Sequence, residues 1–319
     1  MKTITIHSVQ AALAMMLLSG FLVAAEPGIL LSAEPESKNK AIPPDTKGAQ
    51  KRPAAWYGPP PTRKIVYKKV GERELSLHVF EPAGQEPTAK RPAIVFFHGG
   101  AWQIGDPNQF YYQCDYLAKR GLWAASAEYR LQTPGAGVKI ADIVLDAKDA
   151  VRYVRSHAGE LEIDPDRIAA AGGSAGGHLA AATAVVPEAN PPGTVSGKAN
   201  LLVLFNPALF YPSAGKTVTL EQFTKDTPPA ILFYGTKDDM LQYGMDCLAQ
   251  SKRLGFTLRL MTAKDAGHSF FNDQPWRDRT LYESDRFLAE HGYLQGLPTL
   301  VPRPGRWVLD EVKEPVNAK

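Results

Sequence analysis

The sequence is poor in cysteine, with only Cys114 and Cys247 among 319 residues. Two cysteines form at most one disulfide, so a scaffold held together by several disulfides is excluded. Neither cysteine has the neighbouring groups of a metal site or of an activated nucleophile. Each lies in a segment with helical spacing, where a buried free thiol is the usual state. Whether the two pair stays open, because the sequence does not show that they are close.

A strong excess of charge is also lacking. There are 36 basic and 33 acidic side chains, which give a formal net charge of +3, and no run of lysine or arginine is longer than a pair. Proteins that bind the phosphate backbone need a basic surface, so we expect no nucleic-acid partner. The sequence contains no internal repeat, which excludes a solenoid, and it indicates nothing about the oligomeric state.

The chain lacks an apolar run of the roughly 20 residues that a membrane span requires. Its main apolar segment, residues 11–25, is broken by a Ser-Gly pair and follows the basic Lys2. A basic start, a short apolar core and small residues before the cut are typical of a signal peptide. We therefore expect cleavage near Ala25, a periplasmic or secreted protein and no stable membrane insertion. A second possible cut follows Ala33.

Polar, proline-rich segments stand at both ends of the mature chain. Residues 26–62 have no hydrophobic periodicity and end in three consecutive prolines, so we predict a disordered linker there. Residues 297–319 are rich in proline and charge, and we expect this tail to lie outside the core. The predicted catalytic domain therefore covers residues 63–296.

Within this domain, strand patterns alternate with helix patterns. Residues 65–80 predict an antiparallel hairpin, and later strands are predicted at 92–97, 122–128, 168–171, 200–205, 230–234 and 257–261. Helical stripes separate most of these strands, and the other connections are too short for a large lid. The pattern predicts an α/β fold: a mostly parallel sheet with an N-terminal antiparallel hairpin, helices on both faces and no large cap.

The segment Gly-Gly-Ser-Ala-Gly at residues 172–176 joins a predicted strand to a predicted helix. A serine on such a sharp turn has a strained backbone and presents its hydroxyl above the sheet. Glycines flank it where side chains would collide with the neighbouring strand and helix. The helix N-terminus behind it favours negative charge in front. We therefore predict that Ser174 is a nucleophile, although the motif alone also fits an ordinary glycine-rich turn.

A serine hydroxyl needs a general base. His268 follows the last predicted parallel strand, so it lies at the same sheet edge as Ser174. Asp238 follows the strand at 230–234 and is predicted to orient His268, and Asp239 is its rival. The chain order Ser, Asp, His is that of the α/β-hydrolases. Either aspartate also suits the N-cap of the next helix, a role that fits Asp239 well.

The segment His-Gly-Gly-Ala-Trp at residues 98–102 follows another buried strand and reaches the same edge. Glycines let the backbone come close to a substrate and direct N–H groups at it. We predict that the N–H groups of Gly100, Ala101 and Ala175 form the oxyanion hole for a tetrahedral intermediate. Three loops converging on one edge make a stronger signal than any one motif.

Five segments carry a resemblance to a known family: HGGAW at 98–102, EYRL at 128–131, DPDRI at 164–168, GGSAG at 172–176 and GHSFFN at 267–272. They resemble the α/β-hydrolase esterases, in the branch that contains hormone-sensitive-lipase-like esterases and bacterial acetylxylan/feruloyl esterases. The resemblance covers about residues 63–296. It implies hydrolysis of carboxylic esters by a serine, without a metal or cofactor.

Two positions depart from the lipase-like members of this branch. Ala101 stands where those members often have a third glycine, and Gly173 stands where many have aspartate. Both departures are more similar to the acetylxylan esterases. The segment SAGGH at 174–178 is also similar to arylformamidases.

Aromatic side chains near the three loops are candidates for an exposed substrate pocket, and core packing is the alternative for each. These residues are Trp102, Tyr129, Phe210, Tyr211, Phe270 and Phe271. An open site in an exported protein favours short acyl groups on a small-molecule or polysaccharide ester, such as acetyl groups on plant polysaccharide.

We therefore expect an exported serine carboxylesterase with a Ser-His-Asp acyl-enzyme mechanism. Three other functions remain open. The first is an arylformamidase-like amide hydrolase. The second is a peptidase of the prolyl-oligopeptidase type, although nothing before residue 63 resembles its gating module. The third is a non-catalytic hydrolase-like binding module, which would need a broken triad.

Overall fold

The computed structural model describes residues 54–82, 90–188, 191, 193–305 and 307–315. The predicted signal peptide and most of the predicted linker lie outside these residues. The helices are α1 Ala54–Tyr57, α2 Tyr111–Lys119, α3 Ile140–Ser156, α4 Ala175–Val185, α5 Leu241–Leu254 and α6 Trp276–Glu290. The strands are β1 Arg63–Val70, β2 Arg73–Phe80, β3 Arg91–Phe97, β4 Trp123–Ala127, β5 Ile163–Gly173, β6 Leu201–Phe205, β7 Ala230–Gly235, β8 Leu258–Ala263 and β9 Leu309–Val312.

The strands form one sheet in the order β1-β2-β4-β3-β5-β6-β7-β8-β9. Strands β3 to β8 run parallel to one another, whereas β1 and β2 form an antiparallel hairpin that pairs antiparallel with β4. This confirms the predicted fold class. The carboxyl ends of β3, β5, β6, β7 and β8 therefore meet at one edge of the sheet, which is where open α/β sheets hold their ligands.

The parallel strands are buried on both faces. In β3, Ala93, Val95 and Phe97 contribute to the core layer that contains α3, α4 and α5. Their neighbours Ile94 and Phe96 contribute to the layer that contains α2 and α6. A strand that is covered on both faces has a continuous apolar run rather than alternating polar and apolar residues. Such a run predicts β3 in the sequence.

Both cysteines are buried free thiols. Cys114 belongs to the core layer under α2 and α6, and Cys247 belongs to the layer on the other face of the sheet. Burial raises the pKa of each thiol, which keeps both protonated near neutral pH.

The predicted domain boundaries at 63 and 296 each leave out an element. The helix α1 precedes residue 63, and Arg277 of α6 donates a hydrogen bond to the carbonyl of Trp56 at 2.6 Å. After residue 296, part of the predicted tail returns to the sheet as β9, which pairs antiparallel with β8. The sequence Leu-Asp-Glu-Val gives a weak strand signal, because an edge strand is short and polar. No helix in the described part of the chain is long and apolar enough to cross a bilayer.

Candidate active site

Ser174 occupies the sharp turn between β5 and α4. Its φ of 51° and ψ of −117° are rare for a residue with a side chain, as predicted for a strained nucleophile turn. The neighbouring strand β6 holds this conformation. The Ser174 N–H donates to the carbonyl of Phe205 at 2.9 Å, and the Ser174 carbonyl accepts from Ala208 N–H at 3.0 Å. The strain is therefore offset by hydrogen bonds to a rigid neighbour.

The glycines around Ser174 sit where nothing larger fits. A Cβ on Gly173 would overlap the ring of Phe271, and a Cβ on Gly176 would overlap the carbonyl oxygen of Phe97 at the end of β3. The turn thus packs directly on β3 and on the loop after β8. This agrees with the prediction that side chains at these positions would collide with their neighbours.

The structure brings Ser174, His268 and Asp238 together from three different loops. His268 Nε2 lies 2.9 Å from Ser174 Oγ, and His268 Nδ1 lies 3.0 Å from Asp238 Oδ2. The Asp238 carboxylate is buried, whereas 35% of the His268 side chain is exposed. A carboxylate only accepts hydrogen bonds, so Nδ1 carries the proton and Nε2 is left as the acceptor for the Ser174 hydroxyl.

Met240 is the N-cap of α5 and has no side-chain cap, so Asp239 does not take the capping role that the sequence suggested, but Asp238 contacts the backbone at this point. Its second oxygen, Oδ1, accepts from the backbone N–H of Met240 at 2.9 Å, next to the start of α5. The Asp239 side chain points to solvent. Asp238 therefore contacts His268 with one oxygen and the backbone at the start of α5 with the other, which fixes the orientation of the carboxylate.

The loop after β3 has an unusual backbone that prepares it to donate hydrogen bonds. Gly100, Ala101 and Trp102 all have positive φ, at 117°, 50° and 60°. The Gly100 carbonyl is turned inward, where it accepts from the N–H groups of Gln103 and Ile104 at 3.0 Å each. Among the described residues, none accepts from the N–H of Gly100, Ala101 or Ala175. These three groups are available to an oxyanion, and their role there remains a prediction.

His98 and Tyr129 pack against each other next to this loop and stabilise it. Their rings stack with centroids 4.2 Å apart, and the Tyr129 hydroxyl donates to the His98 carbonyl at 2.7 Å. His98 Nδ1 lies 2.7 Å from the Gly99 carbonyl oxygen. Burial lowers the pKa of His98 to about 4, so its ring is neutral near pH 7. Tyr129 is thus a buried brace of the loop and not an exposed pocket residue.

The other aromatic pocket candidates divide into two groups. Trp102, Phe270 and Phe271 are buried, contrary to the prediction of exposed pocket residues, whereas Phe210 and Tyr211 are half-buried. Phe270 packs edge-to-face on Trp276, with centroids 5.8 Å apart, and Trp102 packs edge-to-face on His178 at 5.2 Å. These large rings fill the space under the loops, where their burial is most favourable.

The sequence does not predict one buried residue of the site, Asn206. Asn206 directly follows β6 and contacts both His268 and the backbone of Ser269. It belongs to no motif that identifies it. The signal that could have found it is its position, because it is a polar residue at the carboxyl end of a buried parallel strand.

Comparisons with known proteins agree with this geometry. Residues 77–199 match the BD-FAE family. The chain is similar to esterase 2 of Thermogutta terrifontis: the form phosphonylated by cyclosarin is 40% identical with a TM-score of 0.69, over 73% of this chain and 96% of that chain. The propionate-bound form of that esterase is 39% identical over the same shares, also with a TM-score of 0.69.

Curated relatives are also esterases by name. A probable isoprenylcysteine alpha-carbonyl methylesterase of Arabidopsis thaliana is 30% identical over 247 residues, which are 66% of this chain and 49% of that protein. The para-nitrobenzyl esterase of Bacillus subtilis is 26% identical over 71% of this chain and 45% of its own length. The chain spans about half or less of the length of the curated relatives it matches.

Proposed function

Because this chain belongs to the α/β-hydrolase serine esterases, we propose that it is an exported carboxylesterase that cleaves short-acyl esters through an acyl-enzyme on Ser174. The observation that carries this proposal is the contact of 2.9 Å between Ser174 Oγ and His268 Nε2, with Asp238 on the other side of the ring. A nucleophile, a base and an orienting acid in this arrangement perform acyl transfer.

In the proposed reaction, His268 takes the Ser174 proton as Oγ attacks the carbonyl carbon of the ester. Asp238 stabilises the imidazolium that forms. The oxyanion of the tetrahedral intermediate accepts hydrogen bonds from the N–H groups of Gly100, Ala101 and Ala175. His268 then gives its proton to the leaving alcohol. Water repeats the attack on the acyl-enzyme with His268 as base, which releases the carboxylic acid and restores Ser174.

The direct test is covalent labelling and turnover. Organophosphates such as paraoxon phosphorylate esterase 2 of Thermogutta terrifontis. We expect paraoxon to add one diethylphosphoryl group to this chain, at Ser174, and to abolish hydrolysis of p-nitrophenyl acetate. A Ser174→Ala variant should take up no label and show no turnover above background. Full turnover by that variant would contradict the proposal, and absence of label and turnover in the wild type would favour a binding module.

The acyl preference follows from the short connections between the strands. The segments at 132–139 and 206–229 leave little chain for a lid over the site. Structures of esterase 2 from Thermogutta terrifontis exist with propionate and with butyrate bound. We expect kcat/KM to be highest for acetyl to butyryl esters and to fall for longer chains. Faster cleavage of palmitoyl than of acetyl esters would reject this preference. N-formylaniline and proline-anilide peptides in the same panel test the amidase and peptidase alternatives.

A groove next to the loop that carries His268 supports a polysaccharide as the ester-bearing substrate. A cavity of about 480 Å³ is lined by Lys264, Asp265, Ala266, Trp276 and Trp307. The two indole rings meet edge-to-face with centroids 5.6 Å apart, and the Trp307 residue is 36% exposed. The exposed ring of Trp307, beside a carboxylate and an ammonium group, presents an apolar face and polar partners to a sugar.

The groove is tested by comparing two substrates. A Trp307→Ala variant should lose about two- to tenfold in kcat/KM on acetylated xylan, since an aromatic contact contributes about 0.5 to 1.5 kcal/mol. The same variant should keep wild-type kcat/KM on p-nitrophenyl acetate, which is too small to reach the groove. Equal activity of variant and wild type on acetylated xylan would remove the groove from the proposal.

A further inference from the structure

Asn206 is held rigidly at the sheet edge. It follows β6, its side chain is fully buried, and its N–H donates to the carbonyl of Phe233 in β7 at 2.6 Å. Its φ of 35° lies in the left-handed region, which asparagine and aspartate tolerate better than most residues. The side-chain amide contacts the loop that carries His268.

The orientation of the amide is fixed by its neighbours. Ser269 N–H lies 3.1 Å from Asn206 Oδ1, and a backbone N–H only donates, so the atom it meets is the carbonyl oxygen. The NH₂ group therefore faces His268 Nε2, at 3.3 Å. Since an amide NH₂ only donates, the Nε2 that it faces acts as an acceptor.

Ser269 is also fixed from its other side. Asn272 donates from Nδ2 to the Ser269 carbonyl at 3.0 Å, and its Oδ1 accepts from Gln109 Nε2 at 2.9 Å. Gln109 Oε1 in turn accepts from Gly99 N–H at 2.6 Å. Because the Gly99 N–H can only donate, Gln109 Oε1 is the acceptor, and this fixes which atom donates at each contact from Gly99 to Ser269. These hydrogen bonds link the loop after β3 to the loop that carries His268, and they restrict the movement of Ser269.

We propose that Asn206 is a positioning residue for the base: it holds Ser269, and it directs an N–H at His268 Nε2 so that the ring rests unprotonated on the side of Ser174. A proton on Nε2 would set one N–H against another, so this contact fits the neutral ring that carries its proton on Nδ1. In the part of the chain that the structure describes, Asp238, in the loop after β7, is the titratable group that contacts the ring. The ion pair of Lys237 and Asp265 lies at the exposed surface of the same loops. This role rests on the proposed function of His268.

The substitution Asn206→Asp tests the proposal with almost no change of shape. Aspartate tolerates the same φ and keeps an acceptor for Ser269 N–H, but it replaces the donor that faces Nε2 with a carboxylate oxygen. An anion this close to the ring favours the imidazolium, so the acid limb of kcat/KM on p-nitrophenyl acetate should move about one pH unit or more upward. Activity should fall near pH 6 and return at higher pH.

The matched control is Asn200→Asp, which adds the same charge at the opposite end of β6. Asn200 is exposed, and its Oδ1 accepts from Arg155, a contact that aspartate preserves. The acid limb of this variant should coincide with that of the wild type. An acid limb that stays in place in Asn206→Asp, or that moves equally in both variants, overturns the proposal.

A second variant and a measurement without substrate keep the test decisive. Asn206→Gly suits the positive φ and removes both amide contacts, so kcat should fall about tenfold or more with little change in KM.

The ¹⁵N resonances of the His268 ring, assigned with a His268→Gln variant, should show Nε2 protonated at higher pH in Asn206→Asp than in the wild type. Unchanged ring resonances in both Asn206 variants would refute the role even if Asn206→Asp folds poorly. An absence of wild-type turnover would contradict the proposed function, whereas the ring titration still tests Asn206.

Discussion

Two buried aspartates in this protein have opposite surroundings. Asp146, in α3, receives Lys68 of β1 at 2.6 Å and Arg130 from the loop after β4 at 2.7 Å. Among the described residues, the Asp238 carboxylate receives only the imidazole of His268 at 3.0 Å and the backbone N–H of Met240 at 2.9 Å. The carboxylate of Asp146 contacts a lysine and an arginine, and the carboxylate of Asp238 contacts an imidazole and a backbone N–H.

The difference separates a structural ion cluster, at Asp146, from the proposed catalytic site, at Asp238. The hydrogen bonds between Arg130 and Asp146 raise the pKa of the guanidinium further, so Arg130 keeps its charge near neutral pH. Asp238 faces a ring that can gain a second proton, which in the proposed reaction comes from Ser174. A buried carboxylate is therefore available for chemistry when its partner is titratable, and it joins elements of the fold when its partners are always charged.

The largest expected effect comes from removing the charge of Asp238. In Asp238→Asn, the amide can donate to Nδ1, which moves the imidazole proton to Nε2 and leaves Ser174 without a base. We expect kcat on p-nitrophenyl acetate to fall about 10⁴-fold while the urea midpoint changes little. The exposed neighbour is the control, and Asp239→Asn should stay within about twofold of the wild type. A comparable loss in both variants would contradict the assignment of Asp238.

The same substitution in the ion cluster should have the reverse effect. In Asp146→Asn, Lys68 and Arg130 lose their shared anion, and we expect a loss of about 3 to 5 kcal/mol in the free energy of unfolding. The kcat of the folded fraction should be unchanged. Asp149 also contacts Lys68 but is partly exposed, so Asp149→Asn should cost less than about 1 kcal/mol. If Asp146→Asn impairs kcat and leaves stability intact, the contrast between the two sites fails.

A third prediction separates the pH dependence of stability from that of activity. Burial lowers the pKa of His98 to about 4 and that of His178 to about 3, below the value of about 6.5 in an unfolded chain. The unfolded chain therefore binds protons that the folded protein does not, and stability falls as pH drops below about 6.5. Each residue should lower the free energy of unfolding by about 2 kcal/mol between pH 6.5 and pH 5.

Urea denaturation at these two pH values measures this loss. A His178→Gln variant should lose about 2 kcal/mol less than the wild type over the same interval, because glutamine binds no proton. Equal stability of the wild type at both pH values would show that the two rings are more accessible to protons than their burial indicates.

The smallest expected effect concerns packing at the nucleophile turn. In Gly173→Ala, the new methyl group meets the ring of Phe271, so we expect a loss of about 1 to 2 kcal/mol in stability together with reduced kcat as Ser174 shifts. Adding Phe271→Leu should recover part of both losses. If the double variant is as impaired as the sum of the single variants, the ring of Phe271 is not what requires glycine at position 173.

Much of the site could be predicted from short segments at the ends of strands. Ser174, Asp238 and His268 each follow a predicted parallel strand, and such strands have their carboxyl ends at one edge. The preference for Asp238 over Asp239 came from its nearness to the strand end, and the structure places Asp238 against His268. The exposure of the aromatic residues could not be predicted, because a tyrosine or phenylalanine suits a pocket and a core equally well.

The sequence by itself determined which loops carry the predicted nucleophile, acid and base, and that these loops share one edge of an α/β sheet. Periodicity and turn residues are local properties, and they act over a few residues on either side. Only the tertiary structure decided that Asn206 faces His268, that Tyr129 braces the oxyanion loop, and that β9 returns to β8. These contacts join residues far apart in the chain, so their geometry arises from packing of the whole sheet, which no local pattern encodes.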